Sequence, residues 1–274
     1  MKKHKICKIL LVILAIFLCV AFYELLGICV AYKKQPEVSN TTKKETKNGS
    51  WNECSENTER AVIIEKNPEA LLQRVRLIKN AKKEIILSTF AFQSDESGKL
   101  ILGALHDAAD RGVHIRLLVD GMESWIDMEG NPYFYGLSSH ENVEIKLYNK
   151  ANPLKPWKMM GRMHDKYLIA DGKRYILGGR NTYNYFLGDF PGHKNYDRDV
   201  LVVCDEPEKE NSVNQLLEYF ETIWEQEDSD YFHDNKKLAN RKSVKNAVLE
   251  LQNGYQKYFE ENKERICDTD YTDE

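Results

Sequence analysis

The sequence predicts an α/β fold in which a mixed central sheet has helices on both faces, preceded by an N-terminal transmembrane helix. Short apolar segments alternate with amphipathic segments of helical period between residues 61 and 225. Two of the short segments flank the turn dipeptide Asp171-Gly172, which is typical of a β-hairpin. Close to the N-terminus, Ile9–Tyr23 is an unbroken apolar run. Such a run indicates a membrane span.

The composition fits one folded domain with appendages. The chain has 274 residues, of which 42% are hydrophobic and 30% are charged. A net charge of −4 argues against nucleic-acid binding through overall positive charge, although a local basic site stays compatible with it. The six cysteines show no CxxC spacing, which argues against a zinc site. A disulfide between Cys54 and Cys267 is an open alternative for a domain outside the cytosol.

Residues 1–32 are interpreted as a basic flank followed by an uncleaved membrane anchor. The apolar run continues through Leu25–Tyr32 with Glu24 as the interruption. A cleaved signal peptide is the alternative, but the run is long for one and no small-x-small site closes it. Four lysines precede the span and two follow it, namely Lys2, Lys3, Lys5 and Lys8, then Lys33 and Lys34. This excess predicts a single-pass protein of the cell membrane, with a cytoplasmic N-terminus and the main domain on the outer side.

Three further regions follow the anchor. Residues 33–60 are polar and predict a flexible linker. Residues 61–235 are predicted to form the main domain, and residues 236–274 a C-terminal helix with an acidic tail. The helix, predicted over Leu238–Ile266, has an apolar face that either packs against the domain or binds a partner.

Periodicity assigns the elements of the main domain. The predicted strands are Ala61–Glu65, Glu84–Phe92, His114–Asp120, Val143–Tyr148, Tyr167–Ala170, Arg174–Leu177 and Val200–Cys204. The predicted helices are Pro68–Lys83, Gly98–Arg111, which Gly112 terminates, and Ser212–Glu225.

The predicted hairpin, Met163–Asn181, concentrates groups that handle phosphate. His164 and Lys166 point to the same side of a strand, because side chains alternate along it. The returning strand brings Gly178-Gly179 and Asn181 back beside them. An imidazole can serve as nucleophile or acid/base, whereas an ammonium and an amide bind phosphate oxygens. Glycines let a phosphate approach the main chain closely. An ordinary hairpin with surface side chains is the alternative for each residue taken singly.

Together these residues match the pattern HxKxxxxDxxxxxxGGxN, which resembles the signature of the phospholipase D superfamily. The segment Ser94–Gly121 is similar to the helix-strand unit upstream of the family's hairpin. The motif's GGRN, its upstream RMHDK and the following YF resemble the first motif of bacterial cardiolipin synthases. The resemblance covers about Ala61–Trp224 and implies a phospholipase D-like fold. It also implies phosphodiester cleavage or transfer through a phosphohistidine, without cofactor or metal.

The resemblance implies a role for each matching residue. His164 would be the nucleophile or the acid/base, and Lys166 and Asn181 would bind the non-bridging oxygens. Asp171 belongs to the catalytic signature, although its carboxylate is expected to support the hairpin instead of touching substrate. A carboxylate on the following strand would orient the imidazole; Asp199 is the first choice and Asp197 the second.

The family's sites use two motifs, whereas this chain has one. The second half-site would therefore come from a second copy of the chain. Alternatively, the chain is the first half of a longer two-motif enzyme, whose second half is on another chain or missing from this one. We expect a membrane-anchored phosphatidyltransferase or phospholipase that acts on phospholipids. A homodimeric nuclease is the alternative, and an inactive half-enzyme or binding subunit is the third interpretation. Three properties stay open at this point: the phospholipid head group, the choice between hydrolysis and transfer, and the source of the second motif.

Aromatic residues either shape an acyl-binding surface or pack in the core and loops. These residues are Phe90, Phe92, Trp125, Tyr133, Phe134, Tyr135 and Trp157.

Overall fold

A single mixed sheet of eight strands carries the predicted hairpin. The computed structural model describes residues 2–33, 40, 43–44, 59–158, 160–204, 211–233 and 236–271. The strands are β1 (Glu59–Ile64), β2 (Glu84–Thr89), β3 (His114–Asp120), β4 (Val143–Tyr148), β5 (Lys166–Ala170), β6 (Arg174–Gly178), β7 (Asp199–Cys204) and β8 (Ser229–Tyr231). Their order across the sheet is β1-β7-β6-β5-β2-β3-β4-β8. The pairs β2–β3 and β3–β4 are parallel, and the others are antiparallel.

The helices in the described residues correspond to the five that the sequence predicts, together with short ones. They are α1 (Lys2–Lys33), α2 (Asn67–Asn80), α3 (Glu96–Asp110), α4 (Gly121–Asp127), α5 (Pro132–Ser138), α6 (Ser212–Trp224), α7 (Lys236–Ala239), α8 (Lys242–Glu261) and α9 (Lys263–Cys267). A 3₁₀ turn covers Pro156–Lys158.

Alternating side chains of the sheet build two apolar layers. Ile85 and Leu87 of β2 join the larger cluster, which α2 and α3 cover. Ile86 faces the other way and joins a second cluster with Phe220 and Trp224 of α6. This alternation follows from the two-residue period of a strand. The predicted α/β class, with helices on both faces of a mixed sheet, is confirmed.

The chain divides into two compact units. One contains α1 together with Ala151–Arg162, and the other contains the sheet and the remaining helices. Residues Lys5–Lys33 of α1 are long and apolar enough to cross a membrane. Of the predicted linker, only residues 33, 40, 43–44 and 59–60 are described, and Cys54 lies outside the described residues.

The C-terminal segment packs against the sheet unit. Helix α8 contacts α3 and α5 and buries an apolar face that includes Leu251 and Tyr255. The approach to α3 is close, because a side chain on Gly103 would meet the carbonyl oxygen of Leu251 at 2.7 Å. The single predicted helix is instead three helices, since Arg241 and Asn262 leave helical geometry. Hydrophobic periodicity continues across these breaks and does not reveal them.

Three short elements were not predicted. Helix α4 is capped by Asp120, and α5 is capped by Asn131 with Pro132 in its first turn. Strand β8 has three residues, which is too short for an alternating pattern. Strand β2 also ends three residues before the predicted Phe92, because the chain beyond Thr89 bonds to the segment after β6.

Candidate active site

Most of the predicted site residues lie at one end of the central strands. Strands β2, β3 and β6 end there, whereas β5 begins there. The register places Lys166 opposite Thr89 of β2, and Gly178 opposite Asp199 of β7. His164 lies two residues before β5, so the hairpin and the carboxyl ends of two parallel strands meet there.

His164 and Lys166 are hydrogen-bonded to each other. Nζ of Lys166 lies 3.1 Å from Nδ1 of His164 and donates to the carbonyl oxygen of His164 at 2.7 Å. An ammonium only donates hydrogen bonds, so Nδ1 accepts and Nε2 carries the proton of a neutral imidazole. Lys166 is 6% exposed, whereas His164 is exposed. Nε2 makes no hydrogen bond with the described residues, and the exposed ring is accessible to a substrate.

Phe90, directly beyond β2, packs against this pair. Its ring centroid lies 4.6 Å from that of His164, and Nζ of Lys166 lies 5.3 Å from the Phe90 centroid. The ring restricts the imidazole and displaces water from the ammonium. Burial lowers the pKa of Lys166, and the negative charges of Asp165 and Asp197 oppose this shift.

The two glycines of the motif make room for carboxylates. A side chain on Gly178 would clash with Oδ1 of Asp199, and one on Gly179 would clash with the carboxylate of Asp197. The positions beside both glycines are therefore occupied by acidic side chains. Close approach of a phosphate to the main chain at Gly178 and Gly179 stays a prediction.

Asn181 is buried beside the end of β2. Its Oδ1 accepts a hydrogen bond from the backbone N–H of Ala91 at 3.2 Å. This contact holds the chain next to Phe90 in place. Binding of a phosphate oxygen by Asn181 stays a prediction.

Asp199 is held by arginines. Its Oδ2 lies 2.8 Å from Nη1 of Arg74 and 3.3 Å from Nη1 of Arg180, and its side chain is fully buried. Burial lowers the pKa of Arg180, and the adjacent Asp199 charge opposes that shift. Arg180 also donates to the carbonyl oxygen of Ile64, so the network ties β6 to β1.

The structure therefore does not place Asp199 on the imidazole of His164, as the sequence analysis expected. The reason is that the two buried guanidinium groups compete for the same carboxylate. Asp197, the second choice, accepts from the backbone N–H of Arg198 at 2.7 Å. Neither carboxylate hydrogen-bonds His164 within the part of the chain that the structure describes.

Asp171 lies at the far end of the hairpin. Its carboxylate accepts backbone hydrogen bonds of 2.7–3.1 Å from Lys82, Lys83 and Glu84. Five residues separate it from Lys166, or about 17 Å along an extended strand. Asp171 therefore braces the turn against the loop before β2, at the opposite end of β5 from Lys166.

Asp120, at the end of β3, positions the segment before His164 and was not singled out in the sequence analysis. Its Oδ1 accepts from the backbone N–H groups of Met122 and Glu123, and its Oδ2 accepts from the N–H of Met163 at 3.0 Å. An acidic residue at the end of a parallel strand, directly followed by glycine, was the available signal.

The aromatic residues singled out in the sequence differ in their surroundings. Phe92 and Phe134 are fully buried and form an edge-to-face pair in the core, with centroids 5.1 Å apart. Trp125 and Trp157 are exposed. Phe90 contacts the imidazole of His164.

Comparison with known proteins identifies relatives that span most of the sheet unit. The family described as "Cardiolipin synthase, PLD-like domain" matches residues 74–224. An uncharacterized protein of Helicobacter pylori (strain J99) is 30% identical over 212 residues, which are 72% of this chain and 39% of that protein. Cardiolipin synthase C of Escherichia coli (strain K12) is 29% identical over 171 residues, 57% of this chain and 34% of that enzyme. The chain thus spans about two fifths or less of these relatives' length.

Two solved structures have a similar fold. NucT from Helicobacter pylori has a TM-score of 0.50 at 17% identity, over 64% of this chain and 99% of NucT. Phosphatidylserine synthase from Haemophilus influenzae Rd KW20 has a TM-score of 0.51 at 18% identity, over 81% of this chain and 48% of the synthase. Such identities show the fold alone. The family match covers more than half of the chain and includes the whole hairpin, so the protein belongs to the phospholipase D superfamily.

Proposed function

We propose that the protein is a membrane-anchored enzyme that cleaves or transfers phosphodiesters of phospholipids through a phosphohistidine at His164. The observation that carries this proposal is the exposed imidazole of His164 with the buried ammonium of Lys166 on its Nδ1, at 3.1 Å. This pair offers a nucleophile and a fixed positive charge for one phosphate group.

In the first step, a non-bridging phosphate oxygen replaces Nδ1 as the acceptor of the Lys166 hydrogen bond. Nδ1 then carries the ring proton, and the lone pair of Nε2 attacks phosphorus. A bond forms between Nε2 and phosphorus as the bond from phosphorus to the leaving oxygen breaks. The leaving alcohol takes a proton from a general acid of the opposite half-site.

In the second step, the same group of the opposite half-site removes a proton from an incoming alcohol or water. That oxygen attacks phosphorus, and the bond to Nε2 breaks with its electron pair returning to the imidazole. An alcohol gives a new phosphodiester, whereas water gives a phosphomonoester. We propose that a second copy of this chain supplies the opposite half-site, as a two-fold pair would.

The anchor supports a lipid substrate. The exposed and apolar helix α1 fits a membrane span, and cardiolipin synthases are among the relatives. The net charge of −4 does not favour the non-specific attraction on which most nucleic-acid binding depends.

The decisive experiment compares two substrates. Full-length protein reconstituted into phosphatidylglycerol vesicles is incubated and its lipids are read by mass spectrometry, with single-stranded DNA tested separately. Cardiolipin with glycerol would indicate transfer, and phosphatidic acid with glycerol would indicate hydrolysis. An acid-labile phosphatidyl adduct on the peptide that contains His164 would identify the nucleophile.

The second candidate is a homodimeric nuclease with one motif per chain. It is favoured by the similarity to NucT, nearly all of which aligns with this chain. Cleavage of DNA without change in the lipids would select it, whereas no product from either substrate would select a binding subunit.

Mixing variants tests the pairing in either case. If each site needs two copies, replacing wild type with His164→Ala chain at constant total protein, under conditions of subunit exchange, makes activity fall with the square of the wild-type fraction. A linear fall would show that one chain suffices or that the partner is a different chain.

A further inference from the structure

The segment Ala151–Arg162, which we name the interfacial loop, forms one compact unit with α1. The hydroxyl of Tyr23 donates to the carbonyl oxygen of Leu154 at 3.0 Å. A side chain on Gly27 would clash with the ring of Pro156, so the glycine allows the loop to lie directly on the helix. The loop is therefore built onto the apolar helix near its C-terminal end.

This contact lies at the depth of the lipid headgroups if α1 spans a bilayer. A hydrocarbon core of about 30 Å takes about 20 helical residues. Counted from Lys8, the last charged residue before the apolar run, such a span ends close to Gly27. Tyr23 and Trp157 then lie where tyrosine and tryptophan are enriched in membrane proteins.

The loop exposes a surface that suits this depth. Leu154 is 78% exposed, Met160 is 52% exposed and Trp157 is 45% exposed. Lys155 is exposed beside them. Large apolar side chains next to a lysine fit the boundary between acyl chains and anionic headgroups.

We propose that the interfacial loop is inserted into the headgroup layer beside α1, as a second membrane-contacting surface besides the apolar helix. This inference rests on the membrane anchoring proposed above.

Quenching by brominated lipids tests the insertion without depending on catalysis. The full-length protein is reconstituted into phosphatidylcholine vesicles that carry bromine either at carbons 6 and 7 or deeper at carbons 11 and 12. The tryptophan fluorescence of wild type, Trp157→Phe and Trp125→Phe is compared. Trp125 is the matched control, because it is exposed as well but lies on α4 of the sheet unit.

We expect the shallow bromines to quench the wild type and Trp125→Phe more strongly than the deep ones, and Trp157→Phe to lose most of this quenching. Equal quenching in all three proteins would overturn the insertion of the loop. Flotation of the protein with the vesicles is measured in parallel. Failure to float would disprove the anchor and the inference together, whereas flotation with quenching that does not depend on Trp157 disproves the loop alone.

Discussion

Nζ of Lys166 lies 3.1 Å from Nδ1 of His164, on an imidazole that the sequence analysis expected a carboxylate to orient. In the mechanism that we propose, a phosphate oxygen takes over the hydrogen bond of this ammonium and thereby frees Nδ1. Binding of the substrate's negative charge and preparation of the nucleophile are then one event, which requires an ammonium at position 166.

Replacing His164 with alanine should remove turnover. The loss of the nucleophile or acid/base is expected to lower kcat/KM on phosphatidylglycerol vesicles by at least about 10²-fold. His114→Ala is the matched control, because His114 is the first residue of β3 and lies at the opposite end of that strand from Asp120. Retained activity in His164→Ala would refute the motif assignment.

Activity should fall on the alkaline side at a lower pH than an ordinary lysine would dictate. Burial lowers the pKa of Lys166, so the free enzyme loses its ammonium below the usual lysine range near 10.4. The pH profile of kcat/KM reports this group in the free enzyme. In Lys166→Arg, whose guanidinium stays protonated, any remaining activity should extend to higher pH. Superimposable alkaline limbs in both proteins would exclude Lys166 as the titrating group.

Asp199→Asn should destabilise the sheet unit strongly. It leaves the buried guanidinium groups of Arg74 and Arg180 without their counter-charge, which costs about 3–5 kcal/mol. Arg198→Met is the matched control, because its ion pair with Glu65 is exposed and contributes about 0–1 kcal/mol. Urea unfolding of both variants measures the difference. Equal midpoints would show that the buried network contributes no more than the surface pair.

Asp171→Ala should reduce stability more than catalysis. It removes the acceptor of three backbone N–H groups and puts alanine at a positive φ of 54°, with an expected cost of about 1.5–3 kcal/mol. Asp171→Asn keeps an acceptor and tolerates this backbone, so its melting temperature should fall less. Per folded molecule, kcat/KM of Asp171→Ala should change less than tenfold. A loss as large as that of His164→Ala would instead place Asp171 in the chemistry.

The predicted part of the fold depends on local sequence patterns. The Asp171-Gly172 turn and the flanking apolar segments predicted the hairpin, and the two-residue spacing of His164 and Lys166 predicted their proximity. These relationships span few residues, so backbone geometry decides them.

The part that was not predicted depends on contacts between distant segments. The sequence does not indicate that Asp199 pairs with Arg74 of α2 and Arg180 of the motif. The distance in sequence from the motif fits any nearby carboxylate equally well. The same holds for Asp120, whose role depends on how β3 and β5 approach each other across β2. Ion pairs in the core decide which partner each carboxylate has, and the spacing of residues in the sequence does not reveal those pairs.

The ion pair between Arg74 and Asp199 joins residues 125 apart in the chain. At a synthesis rate of about 5–20 residues per second, roughly 6–25 s separate the appearance of the two partners. During that interval Arg74 lacks the carboxylate with which it pairs in the sheet unit. Strand β1 likewise waits for β7 before it can pair. This part of the sheet is therefore completed only after residue 199 has been synthesised, and a chain that ended earlier would expose unpaired strands that favour aggregation.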